Sequence, residues 1–161
     1  MADARVLHRL VLAFILAGLA LSLYATAESL NPALQGSCTV NAFLSCAAVQ
    51  QSGLTTLGPV PDWALGTGGF ALLLALDVLL IRTYESRWLL AVLFVAALGL
   101  GVAVVLGYIE LALIHALCPV CLGTYVADLG AFSGALALLR LRRAATKSPG
   151  ETASLGDAEG P

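Results

Sequence analysis

The sequence predicts an all-α membrane protein: a four-transmembrane-helix bundle with an external cysteine-bearing loop between helices 1 and 2. Three observations carry this expectation. Hydrophobic residues make up 60% of the 161 and charged residues 11%, with a mean hydropathy of +0.94, well outside the range of an ordinary soluble domain. The apolar residues gather into four blocks, each near the roughly 20 residues a helix needs to cross a bilayer. All eight lysines and arginines lie outside those blocks.

The first helix is expected over about 10–27. Arg5, His8 and Arg9 precede it as the charged region of a signal peptide would. The apolar run is long for a signal peptide, however, and no small-residue cleavage site closes it before Glu28, so a retained helix is expected. A long connection follows, 28–62, which holds Cys38 and Cys46. Asn31-Pro32 reads as a turn, and Thr39 to Gln51 as a short amphipathic helix. Gly58-Pro59-Val60-Pro61 must be irregular, because two prolines so close break a helical pattern. The second span, about 63–81, has Gly66, Gly68 and Gly69 near its start, which would permit close helix contact.

A hydrophilic hairpin, Arg82 to Arg87, leads into the third span at about 88–109, which carries no charge. Glu110 to Leu117 is the short link to the fourth span, about 118–139. Residues 1–143 thus form one transmembrane domain. From Ala144 onward the Gly/Ala/Glu-rich remainder, 144–161, reads as a disordered cytoplasmic tail. There is no internal repeat.

The basic residues set the orientation. Arg5 and Arg9, Arg82 and Arg87, and Arg140, Arg142, Arg143 and Lys147 flank one side of the membrane, while 28–62 and 110–117 contain none. The positive-inside rule therefore predicts a multi-pass cell-membrane protein with both termini cytoplasmic and all four cysteines extracytoplasmic. Nucleic acid is not an expected partner, because the only basic cluster is the short C-terminal one.

Cys118-Pro119-Val120-Cys121 is the chemical centre of the sequence. One helical turn brings the sulfurs of a Cys-x-x-Cys pair within bonding reach. At a helix N-terminus, unpaired N–H groups stabilise a thiolate, and Pro119 suits the first helical position. A structural disulfide or two packed thiols is the plainer alternative. Cys38 and Cys46, eight residues apart, would serve equally as a loop staple. Beside a second pair they read better as a relay, because exchange needs a thiolate next to a disulfide and a mobile loop can carry one. A metal site built from all four is disfavoured, since structural zinc sites pair two closely spaced motifs.

Taken together, these features resemble the vitamin K epoxide reductase family in its stand-alone prokaryotic form. The resemblance covers about Val11 to Leu141. It rests on the loop pair Cys38 and Cys46, on Ser52 six positions later, and on GPVPDWALG from Gly58 to Gly66. Cys118, Cys121 and Tyr125 opening the fourth span, and Leu21-Ser22-Leu23-Tyr24, complete it. The resemblance implies a four-helix bundle around a quinone (ubiquinone or menaquinone). Cys121 would face and reduce the quinone, Cys118 would exchange with the loop through Cys46, and Cys38 would accept electrons from a thioredoxin-like extracytoplasmic partner. With no thioredoxin domain in the sequence, that partner is expected to be a separate protein and the enzyme itself a monomer. Leu54 stands where some members, especially animal ones, carry tryptophan, and the polar region that helps hold vitamin K in animal members has no counterpart. Both departures favour thiol oxidation by quinone over epoxide reduction.

Tyr125 lies one turn beyond Cys121 on the same helix face, where its hydroxyl would donate to a quinone carbonyl; anchoring at the membrane interface is the simpler role. Ser52 would line or close the pocket mouth, although a loop serine is more often a turn or cap residue. Asp128, seven residues past Cys121, sits near mid-membrane, where an ionisable group suggests function; a proton relay and a hydrogen-bonded structural acid stand equal. Asp77 is expected to pair near Arg82, His115 to be a solvated interfacial histidine, and Trp63 and Trp88 to be belt anchors. Two other functions remain: reduction of a quinone or vitamin K epoxide with the same thiols, and a non-catalytic membrane scaffold with structural disulfides.

Overall fold

The computed structural model describes residues 2–34, 36–54, 56–57 and 60–147. It is largely helical: α1 (Ala2–Leu30), α2 (Cys46–Gln51), α3 (Asp62–Thr83), α4 (Ser86–Ile109) and α5 (Pro119–Lys147), with a π-turn at Glu110–Ile114 and two short strands, β1 (Thr56–Leu57) and β2 (Val60–Pro61). Four of the helical stretches are long and apolar enough to cross a membrane: Ala4–Leu30, Asp62–Thr83, Ser86–Ile114 and Pro119–Ala145. Their outward faces carry exposed Phe94, Val104, Val126 and Leu129. Such faces are tolerated in lipid, not in water. The chain is a multi-pass membrane protein.

The helices close into a ring. α1 packs against α3 and α5, and α4 packs against the same two from the other side. The buried centre is built from Val11 and Ile15 of α1, Phe70, Leu73 and Leu80 of α3, Leu89, Val92 and Ala96 of α4, and Ala127, Ala131 and Ala135 of α5. Lipid tails are as apolar as leucine, so membrane helices hold together through close packing at small residues. The most extensive seam is α1 against α5. A Cβ on Gly130 would sit 2.6 Å from the Phe14 ring, one on Gly134 2.7 Å from Val11, and one on Gly123 2.8 Å from Leu21. The expected glycine contact at the start of α3 is not made there. Nothing lies within 4 Å of a Cβ on Gly68 or Gly69, and only Ser22 approaches one on Gly66. Gly66 and Gly69 instead line an open cavity.

Four local expectations change. The helix expected from Thr39 begins only at Cys46. Asn41 Oδ1 accepts the N–H groups of Phe43 and Leu44, which folds the preceding segment into a turn, and Ser45 caps α2 by accepting Ala48 N–H at 3.1 Å. Val60-Pro61 is not irregular but pairs antiparallel with Thr56-Leu57; Gly58 and Pro59 lie outside the described residues. The link 110–117 opens as a π-turn and closes on His115 in the left-handed conformation. α5 runs through Lys147, so the first residues assigned to the tail are helical, and 148–161 lie outside the described residues.

Away from the cysteines, fully buried Asp77 does not turn to Arg82. It faces His8 of α1, with 3.5 Å between Oδ2 and Nε2. Burial explains the choice: Asp77 is fully enclosed in the bundle, where it meets a side chain of α1.

Candidate active site

Main-chain bonds sew the cysteine loop to the start of α5. Leu117 N–H donates to Phe43 C=O at 2.7 Å, and Ser45 N–H donates to Leu117 C=O at 2.9 Å, which makes Leu44 and Leu117 an isolated parallel bridge. Cys46 follows Ser45 and Cys118 follows Leu117, so the bridge delivers both sulfurs to one point. Cys118 Sγ lies 3.3 Å from Cys46 Sγ, and both residues are buried. Cys46 is disulfide-bonded to Cys38 with Cα atoms 5.8 Å apart, while Cys118 and Cys121 are free thiols. The Sγ atoms of Cys38, Cys46 and Cys118 lie within 4.8 Å of one another. Three sulfurs so placed would suit a soft metal if all were thiolates; with two already bonded, the arrangement is that of a thiol poised on a disulfide.

Cys118 precedes the fourth span and caps α5. Its Sγ accepts the N–H of Cys121 at 3.2 Å. The Cys118 thiol is held below the usual range, chiefly by hydrogen bonding from Cys121, with burial and the nearby Glu110 carboxyl acting the other way. A lowered thiol keeps more thiolate near neutral pH, which is the attacking form.

Two acids to which the sequence alone assigns no role hold this arrangement. Glu110 is 1% exposed. Its Oε2 accepts the Cys118 N–H at 3.1 Å and its Oε1 accepts the Tyr125 hydroxyl at 3.0 Å. Glu28, equally buried, uses Oε1 to accept the N–H groups of Gly36 at 3.1 Å and Cys38 at 3.3 Å, which orders the loop around the outer cysteine. The signal was present: each is a lone acid at the end of an otherwise uncharged span, where an unpaired carboxyl is expensive.

A cavity of about 250 Å³ opens beside Cys121, between all four long helices. Its walls are apolar, from residues such as Leu73, Val102 and Leu106, with Cys121, Tyr125, Thr124, Asp62 and Asp128 among its few polar groups. Ligand pockets are mostly larger, roughly 300–1,000 Å³, so this one suits a flat ring head group better than a bulky ligand. An apolar chamber with a thiol and a phenol on one wall fits a quinone ring, and Cys121 and Tyr125 would hold it.

Four of the six residues singled out from the sequence, Cys38, Cys46, Cys118 and Cys121, fall in one continuous sulfur path. Tyr125 reaches the cavity, but its hydroxyl is engaged by Glu110. Ser52 does not join them. It ends α2, donates to Val49 C=O at 2.7 Å and accepts Leu54 N–H at 3.2 Å, a cap and turn residue that is not among those lining the cavity. Asp128 does line it, 6% exposed, with Oδ1 left without a partner. Gly99 of α4 makes room for it, since a Cβ there would collide with the carboxylate. Trp63 also lines the cavity.

The sequence model of the vitamin K epoxide reductase family matches residues 9–136, which include all four cysteines, both buried glutamates and every residue lining the cavity. A search among curated proteins found no match.

Proposed function

The chain belongs to the vitamin K epoxide reductase family, a thiol-based redox family, and on that premise we propose that it is a quinone-dependent generator of protein disulfides. It oxidises a thioredoxin-like extracytoplasmic dithiol protein and passes the electrons through its two cysteine pairs to a quinone. The observation that carries the proposal is the 3.3 Å approach of Cys118 Sγ to Cys46 Sγ, with Cys121 on the cavity wall one turn further on.

The partner's dithiol reduces Cys38–Cys46 by attack at Cys38. The freed Cys46 thiolate attacks Cys118 of a Cys118–Cys121 disulfide; a Cys46–Cys118 bond forms and Cys121 leaves as thiolate. Cys38 then attacks Cys46, restores the outer disulfide and releases Cys118. The pairing present here, outer disulfide and inner dithiol, is the product of that exchange. A quinone held in the cavity would supply the acceptor for the two electrons and two protons of the inner dithiol. The chain's own task is to hold Cys121 and the Tyr125 hydroxyl against it and to exclude bulk water with apolar walls.

The distribution of basic residues supports placing the cysteines outside the cytoplasm, where an oxidising environment lets disulfides persist. Leu54 and the apolar cavity favour quinone over an epoxide as acceptor.

The deciding experiment uses purified protein in detergent with a reduced thioredoxin-like protein, following ubiquinone and menaquinone analogues by absorbance. Quinone reduction is expected from the intact protein and not from Cys121→Ser. Turnover of a quinone epoxide without turnover of any quinone would replace this reading with epoxide reduction. Equal activity in the Cys121→Ser protein would leave the cysteines structural.

A further inference from the structure

We propose that Glu110 is a positioning residue that sets which way the Tyr125 hydroxyl aims its proton. The inference rests on the reading of Cys121 and Tyr125 as the reducing end of the protein. Glu110 stands where α4 passes into the π-turn, and the turn folds back so that Ala116 N–H bonds the Glu110 carbonyl at 3.1 Å. That geometry buries the side chain beneath the N-terminus of α5. Both carboxyl oxygens are engaged, one by the Cys118 N–H and one by the Tyr125 hydroxyl. No lysine or arginine occurs in 28–62 or 110–117, so no cation from these segments fixes the carboxyl in its ionised form.

A tyrosine hydroxyl has one hydrogen to give, and an ionised carboxylate can only accept. With Glu110 ionised, the Tyr125 hydrogen is held at Oε1 and the cavity meets only oxygen lone pairs. With Glu110 protonated at Oε1, the carboxyl donates to the tyrosine oxygen and the hydroxyl hydrogen turns to the cavity. A quinone carbonyl being reduced needs that donor. Oε2 accepts the Cys118 N–H in both states, so the cap of α5 survives the switch.

The balance closes within the chain. Oxidation of the Cys118–Cys121 dithiol forms one S–S bond and releases two electrons and two protons, which is what conversion of quinone to hydroquinone consumes. One proton passes from the Tyr125 hydroxyl to the carbonyl and is replaced from the Cys121 thiol one turn away, and the second comes from the Cys118 thiol; Glu110 orients the hydroxyl and gives up no proton of its own.

Several titratable groups face Glu110. Cys118, Cys121 and Tyr125 come from α5, Asp62 acts on it from the start of α3, and α2, which begins at Cys46, packs on the π-turn. His115 ends that turn, and the α1 carboxylate Glu28 is bonded to Gly36 and Cys38. Substitution at 110 is what separates its contribution from theirs.

Glu110→Gln reproduces the protonated carboxyl, with an amide N–H to donate to Tyr125 and an oxygen to accept from Cys118; Glu110→Ala removes both. The expected result is that Glu110→Gln turns over quinone within about threefold of wild type and loses the fall in kcat that wild type shows as Glu110 ionises with rising pH. Glu110→Ala should lose on the order of tenfold or more in kcat, with KM moved less. A Glu110→Gln protein as inactive as Glu110→Ala although folded, or one that keeps the wild-type pH profile, overturns the inference. Infrared difference spectra of the quinone-free protein give a second readout. A protonated-carboxyl band should vanish in Glu110→Gln and shift in Tyr125→Phe, and its absence overturns the inference whatever the turnover. If wild type reduces no quinone, the proposed function falls, and the infrared band alone decides the role of Glu110.

Discussion

At the scale of single residues, the site is a contact between two sulfurs that were 72 positions apart in the chain. The four cysteines were legible because Cys-x-x-Cys at a helix start has few uses. Glu110 and Glu28 were not, because a charge at the edge of an apolar block reads as an interface residue until the fold shows which way it points. Ser52 shows the converse: its spacing from Cys46 suggested the pocket, but a serine at a helix end finds backbone partners first. The sulfur contact makes a covalent prediction. In Cys38→Ser/Cys121→Ser protein, the remaining Cys46 and Cys118 should join as a disulfide under mild oxidation, identified by peptide mass spectrometry. Two free thiols under those conditions would mean that the loop does not rest on α5 as described.

At the scale of elements, hydrophobic blocks announced four helices but not which faces meet. Gly66, Gly68 and Gly69 looked like the contact because they cluster; the contact formed at Gly123, Gly130 and Gly134, which are spread along one side of α5 among alanines. Spacing, rather than local density, makes a seam. Gly130→Leu should therefore destabilise the protein by about 1–3 kcal/mol through overpacking against Phe14, measured by unfolding in mixed detergent micelles. Gly101→Leu is the matched control, since nothing lies within 4 Å of a Cβ there. Equal loss in both would trace the effect to helix propensity or lipid contact and not to the α1–α5 seam. The segment 39–45 leaves the helix for a local reason: helix-tolerant residues lose to an asparagine side chain that offers the backbone a turn.

For the whole molecule, the sequence supplied the class, the number of spans and the asymmetry of charge, while the ring order of the helices and the cavity they enclose came only with packing. The cavity needs all four helices at once, so no single segment carries its signature. The charge asymmetry predicts orientation. In spheroplasts expressing otherwise cysteine-free protein, a membrane-impermeant maleimide should label Val40→Cys, on the 74% exposed loop position, without permeabilisation. Tyr84→Cys, 75% exposed between α3 and α4, should label only once the membrane is opened. The reverse pattern would place the cysteine pairs in the cytoplasm and remove the oxidising environment that the proposed function requires.

The bridge between Leu44 and Leu117 is made by main-chain atoms alone. The side chains at 43, 44, 45 and 117 therefore do not set the register in which Cys46 meets Cys118; the number of residues does. Apart from the Ser45 hydroxyl that caps α2, a lineage could drift in the composition of these two segments and still bring the sulfurs together. One residue gained or lost between Phe43 and Cys46, or between Leu117 and Cys118, would turn the two sulfurs to opposite sides of the bridge. What descent must keep at this point is a count.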